Sequence, residues 1–420
     1  TPPWNGDQTF QIQKAAGVRI KQNNTIMIKK LTFIALTVLL SVEGLFAQQA
    51  LFMGGSQITS PQVNPDNSVT FRLLAPDARE VRLTGDFIPA QGWMPGSELM
   101  TKDDKGIWEY TTKPLDSDLY GYAFTVDGLR MMDPNNVHQI RDVATVTNIV
   151  IVGGGQGDIY SVQKVPHGTV SRTWYDSPSN KYVQKRRVTV YTPPGYENSK
   201  KKYPVFYLLH GMGGDEEAWI NLGRTAQIMD NLIAAGKTEP MIVVMTNGNV
   251  VQEAAPGESS LGLYKPTMQL DGTMDGQFES SFKDVIRFVE NNYRVIPKSH
   301  ARAIAGLSMG GYHTLHISRY YPKTFDYVGL FSAAIMPDEK VAGSPVYQDI
   351  EGTLKQQRDN GFSLYWIGIG KDDFLYKANV EYRQLLDRID MPYVYRESEG
   401  GHTWTNWRLY LSEFAPLLFK

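Results

Sequence analysis

Residues 304–312 read Ile-Ala-Gly-Leu-Ser-Met-Gly-Gly-Tyr and impose a sharp bend between two regular elements. Their centre, Gly306-Leu307-Ser308-Met309-Gly310, fits the pattern G-x-S-x-G. A Cβ at either glycine would crowd such a bend, so only the serine projects from it. Residues 301–305 read as a short strand before the bend, and residues 311–317 as a helix after it. Ser308 is therefore a candidate nucleophile held between a strand and a helix.

The surrounding chain supports an alternating α/β fold. Apolar strands are expected at 187–196 (strand and turn), 203–209, 241–245, 327–332 and 364–370, with an amphipathic helix at 282–293. Together, residues 164–420 read as one doubly wound sheet. The preceding stretch has a different rhythm. Between residues 56 and 162, short alternating runs at 69–74, 80–84, 106–111 and 120–126 are closed by turn signals such as Asp127-Gly128. About seven strands at this spacing predict an all-β, immunoglobulin-like sandwich over 48–163. The chain has no cysteine, so disulfides and thiolate metal ligands are excluded.

The N-terminal end reads as processing sequence. Met27-Ile28-Lys29-Lys30 is basic, residues 31–40 are apolar, and small residues precede Gln48, the layout of a signal peptide over 27–47. Its apolar run is about half of the roughly 20 residues that span a membrane, so no stable membrane anchor is expected. Residues 1–26 are expected to be an upstream extension outside the mature protein. A periplasmic or secreted location follows. The net charge of −2 gives no basic field for nucleic acid.

The 203–209 strand runs into His210-Gly211-Met212-Gly213-Gly214, a glycine turn with free backbone N–H groups. Acyl transfer needs such donors aimed at a developing oxyanion. Met212 and Met309, the residue after the nucleophile, are the expected pair. The order nucleophile, acid, histidine selects a base from His313, His316 and His402. The first two follow the bend on its helix, whereas His402 lies in a loop before the last helix and is the candidate base. His210 precedes the serine and is expected to shape its turn. Asp372 or Asp373, leaving the 364–370 strand, supplies the acid.

Two other patterns are discounted. Residues 153–158 lack the third glycine of a dinucleotide fingerprint and a convincing helix after it, and read as a flexible end of the β-module. Ser280-Ser281-Phe282-Lys283 fits S-x-x-K but lies in an ordinary amphipathic helix. No His, Asp and Glu cluster has metal-ligand spacing, so neither metal nor cofactor is expected.

The assembled motifs resemble carbohydrate esterase family 1, the esterase D-like α/β hydrolases. They are residues 207–214, Asn247-Gly248-Asn249, residues 306–311, residues 370–375 and Gly401-His402-Thr403-Trp404. The β-module is similar to carbohydrate-binding module family 48, on residues 69–76, 106–108 and 120–128. The resemblance favours Asp373 over Asp372 as the acid. It implies a feruloyl esterase acting on plant cell-wall polysaccharide or feruloylated oligosaccharide. Acetyl xylan esterase, or a glycan-binding protein with an inactive hydrolase domain, are the alternatives. Trp219, Trp404 and Asn249 are the candidate substrate-binding residues, under a covering loop at 250–274. Trp93 and Trp108 are either sugar platforms or core aromatics.

Overall fold

The computed structural model describes residues 58–420 apart from 90–95, 263–266, 269 and 336–343. The expected leader at 27–47, the 1–26 extension and Trp93 lie outside the described residues. The N-terminal module contains β1 (Gln62–Val63), β2 (Val69–Leu74), β3 (Val81–Gly85), β4 (Ser97–Leu99) and β5 (Thr101–Lys102). It continues through β6 (Ile107–Thr111), β7 (Leu119–Val126), β8 (Leu129–Met131), β9 (Gln139–Asp142) and β10 (Thr145–Ile151). One sheet runs β1-β2-β6-β5 and the other β4-β3-β7-β10-β9, with β8 paired to β7. All these pairings are antiparallel.

Alternation sets this core. Val69, Phe71 and Leu73 of β2 and Val81 and Leu83 of β3 are buried and cluster with Tyr122 and Phe124 of β7. Trp108 belongs to the same cluster, and its Nε1 donates to Ala75 O at 2.9 Å. It is therefore a core aromatic and not a sugar platform.

The second region begins with helix α1 (Gln156–Tyr160) and strand β11 (Thr169–Asp176). It continues with β12 (Lys185–Thr192), β13 (Val205–Leu209), α2 (Ala218–Asn221), α3 (Thr225–Ala234) and β14 (Ile242–Thr246). Then come α4 (Gln277–Asn292), β15 (Arg302–Leu307), α5 (Met309–Tyr320), β16 (Tyr327–Phe331) and α6 (Ile350–Asn360). The last elements are β17 (Leu364–Gly370), α7 (Tyr376–Arg388), β18 (Val394–Ser398) and α8 (Trp404–Phe414). The sheet order is β11-β12-β14-β13-β15-β16-β17-β18. β11, β12 and β14 pair antiparallel; from β14 onward the strands are parallel. This is the α/β-hydrolase arrangement.

Strand β13 shows why its sequence is apolar throughout. Val205, Tyr207 and Leu209 pack on one face with Phe278 and Phe282 of α4 and Leu315 of α5. Phe206 and Leu208 point the other way, toward Ile228 of α3 and Tyr410 and Phe414 of α8. A parallel strand covered on both faces needs an apolar residue at every position. Each such side chain contributes about 1.5–3 kcal/mol by burial.

One expectation at the junction is corrected. Residues 153–158 are not a loose end: α1 forms there, and its Tyr160 is fully buried in the hydrolase cluster with Leu119 and Ile149 of the module. Strand β11 falls outside the expected strands because it is an edge strand with only Tyr175 buried.

Arg187 of β12 is buried against three carboxylates, Glu216 at 2.7 Å, Glu217 at 3.1 Å and Glu258 at 2.7 Å. Burial and neighbouring Asp215 push the Glu216 carboxyl above its ordinary range. Removing the cation would strand a buried anion, which costs about 3–5 kcal/mol. Arg187→Ala is expected to lose stability of that order in urea unfolding. A change below about 1 kcal/mol would show that the pair is dispensable.

Candidate active site

Ser308 sits where β15 ends and α5 begins, with φ 50° and ψ −115°. Positive φ in a non-glycine residue is strained and persists only where surroundings hold it. Here Ser308 N donates to Phe331 O at 2.9 Å, and Ser308 O accepts from Ala334 N at 2.9 Å. The flanking glycines are steric requirements. A Cβ on Gly306 would lie 2.4 Å from the Gly310 carbonyl carbon, and one on Gly310 would lie 2.5 Å from Leu209 O and His210 O. The Ser308 hydroxyl makes no side-chain hydrogen bond among the described residues and lines a cavity of about 510 Å³.

His402 lines the same cavity. Its Nδ1 lies 2.9 Å from Asp373 Oδ2 and 3.1 Å from Oδ1. The ring is flanked by Phe374, 4.6 Å between centroids, and by the edge of Trp407 at 4.9 Å. The carboxylate side chain of Asp373 is fully buried. Backbone bonds zip the two loops together: Lys371 N to Ser398 O at 2.9 Å and Asp372 N to Gly400 O at 3.0 Å. Asn406 of α8 pins the histidine loop through Gly401 O at 2.9 Å. Of the two candidate acids, then, Asp373 faces the imidazole, while Asp372 is exposed.

Met212 lines the cavity on the 211–214 turn, and Met309 is the first residue of α5. A first helical residue has no acceptor for its N–H within the helix. Among the described residues the Met212 N–H makes no hydrogen bond to a protein acceptor. Met212 and Met309 thus remain the candidate oxyanion donors.

His210 is a latch. Its Nδ1 donates to Gly211 O at 2.7 Å, and its Nε2 accepts the Gly248 N–H at 2.8 Å. Burial pulls its pKa down to about 4, which keeps the ring neutral in this double role. His313 and His316 are buried residues of α5 itself. The first contacts Glu279 at 2.7 Å, and the second accepts from Arg319 at 2.8 Å. Burial, with Arg319 nearby, holds His316 well below the ordinary imidazole range. Ser280, the serine of the discounted S-x-x-K pattern, lies in α4 and donates to Gln277 O at 3.3 Å.

Two substrate-binding expectations are corrected. Trp219 does not line the cavity; it is 1% exposed, and its Nε1 donates to Leu209 O at 2.8 Å. It supports Trp404 edge-on at 5.2 Å. Asn249 is also buried, spending its amide on Gly214 O at 2.8 Å and Gln252 Oε1 at 3.1 Å. Its amide ties two loops together. Trp404 does line the cavity. In the expected covering loop, Val250, Ala254 and Ala255 are buried inside, and Met268 lines the cavity.

Sequence reasoning missed several lining residues. Phe374, Leu375 and Trp407 lie beside motif positions, and neighbourhood to Asp373 and His402 could have found them. Arg141, Asp142 and Val143 come from the β-module hairpin and carried no local signal.

The eight-stranded order, the bend at Ser308 and the His402–Asp373 pair define an α/β hydrolase with a serine-type site. The chain belongs to the putative esterase family, whose profile matches residues 179–418. A carbohydrate-binding module 48 (isoamylase N-terminal domain) profile matches residues 58–138. An endo-1,4-beta-xylanase/feruloyl esterase of Xylanibacter ruminicola is 33% identical, over 86% of this chain and 46% of that protein. The chain thus spans less than half of that relative's length. An acetyl esterase of Caldicellulosiruptor saccharolyticus is 26% identical, over 51% of this chain and 83% of that protein. The solved enterobactin esterase FES of Shigella flexneri superposes with a TM-score of 0.56. It is 15% identical and covers 83% of this chain and 92% of its own, a likeness of fold alone.

Proposed function

We propose that the protein is a secreted serine esterase that hydrolyses feruloyl or related hydroxycinnamoyl esters on plant cell-wall arabinoxylan. The observation that carries this is the His402–Asp373 pair sharing one largely apolar cavity with Ser308, Phe374, Trp404 and Trp407. His402 Nε2 takes the Ser308 proton as Oγ attacks the ester carbonyl. The Met212 and Met309 N–H groups receive the oxyanion, and Asp373 supports the imidazolium. The sugar hydroxyl leaves with the proton held by His402. Water then attacks the acyl-serine and gives a proton to His402, which returns it to Ser308 Oγ as the acid leaves.

The acyl-group assignment rests on shape. An aromatic-lined cavity of about 510 Å³ has room for a phenylpropenoyl group, and acetate would leave most of it empty. The xylanase/feruloyl esterase relative supports this choice, and the basic-then-apolar segment at 27–47 supports export. The acetyl esterase relative favours the second reading, acetate release from xylan. Methyl ferulate and acetylated xylan, assayed side by side, separate the two. Ferulate release is expected to dominate; fast acetate release without ferulate would overturn the assignment.

A further inference from the structure

The β9–β10 hairpin of the N-terminal module reaches into the cavity and closes over the 211–214 turn. Its tip residue, Val143, has φ 50°, rarely adopted by a β-branched side chain. A Cβ on Gly213 would fall 2.7 Å from Val143 Cγ2, so the valine methyls lie directly on the glycine turn. Arg141 fastens this tip from both ends. Its Nη1 donates to Val143 O at 2.9 Å, and its Nη2 pairs with Asp215 Oδ2 at 2.5 Å. Asp215, 2% exposed, follows the turn directly, and its other oxygen accepts Glu217 N at 3.0 Å. From beneath, His210 and Asn249 hold Gly211 O and Gly214 O. The turn is gripped on two sides, and one grip belongs to the module.

The module itself is fixed to the hydrolase. Arg408 of α8 donates to Leu119 O at 3.0 Å and to Asp118 Oδ1 at 3.4 Å. Leu119 and Ile149 share a buried cluster with Phe206 and Trp219. A hairpin on such a base can hold geometry; a tethered sugar-binding module cannot.

We propose that Arg141 and Val143 are positioning residues that keep the 211–214 turn, with its Met212 N–H, aligned on Ser308. The carbohydrate-binding-module-like domain is thereby a working part of the ester-cleaving site. The proposal rests on the serine esterase reading above. It predicts an effect on a small ester with no sugar, where a module serving only glycan capture would have none.

The test uses the full chain and methyl ferulate. Arg141→Ala is expected to lower kcat by about ten- to a hundredfold, because small misalignments of catalytic groups cost that much. KM should stay within about threefold, and Arg141→Lys should recover part of the loss by restoring the ion pair. Val143→Gly relieves the positive φ and keeps the ion pair, yet should lower kcat by about three- to tenfold. If Arg141→Ala fails to fold, Val143→Gly decides alone. Wild-type kcat in the folded hairpin variants, or a loss confined to KM, would overturn the proposal. Ser308→Ala run in parallel separates the two readings: retained turnover there sinks the serine mechanism, not the brace.

Discussion

Ser308→Ala is expected to lower kcat by about a million-fold while leaving a folded protein. The alanine keeps the Cβ and the backbone at φ 50°, so the strain at the bend is unchanged. The hydroxyl makes no side-chain hydrogen bond among the described residues, so its removal should change stability by less than about 1 kcal/mol. The loss is therefore chemical. Without Oγ the imidazole has no nucleophile to activate, and the remaining donors at Met212 and Met309 can only polarise the carbonyl for water. Knocking out the serine of such a unit removes most of what the unit does together, about 8 kcal/mol of transition-state stabilisation. Steady-state assays on an aryl ester, with unfolding midpoints measured beside them, check both halves.

Asp373→Asn is expected to lower kcat by about ten-thousand-fold, while Asp372→Asn stays within about twofold. The Asp373 carboxylate faces His402 Nδ1 and also accepts Leu375 N through Oδ1 at 2.9 Å. An asparagine can keep the Leu375 bond only by turning its oxygen that way, which aims its NH2 at the imidazole. Nδ1 would then become an acceptor, and the proton would move to Nε2. That tautomer cannot take the Ser308 proton, and the buried countercharge for an imidazolium is also gone. Asp372 is exposed, and its N–H bond to Gly400 O is unaffected by changing its side chain. Equal losses in the two variants would mean that the acid is wrongly assigned.

Legibility in the sequence followed the range over which each signal acts. The bend at Ser308 was readable because its glycines clash within a few residues of backbone. The apolar run of β13 was readable because both its faces are covered. His402 could be chosen by chain order, but Asp372 and Asp373 sit side by side in one turn, and only packing decides which faces inward. Trp219 and Asn249 were misassigned for a related reason. An indole or an amide can serve a ligand or a neighbouring carbonyl, and here Leu209 O and Gly214 O had the prior claim. The hairpin at Arg141 and Val143 lacks a glycine turn signal, and its partner Asp215 lies in the other domain. Such a contact exists only after the two regions have packed through Leu119, Ile149 and Tyr160.

The central claim is an acyl group carried on Ser308. Rapid quench of the wild-type chain with an activated aryl ester of ferulic acid, followed by peptide mapping, tests it directly. A feruloyl adduct on the peptide containing Ser308, formed in a burst and absent from Ser308→Ala, is the predicted result. Turnover without an adduct, or an adduct on another residue, would contradict it.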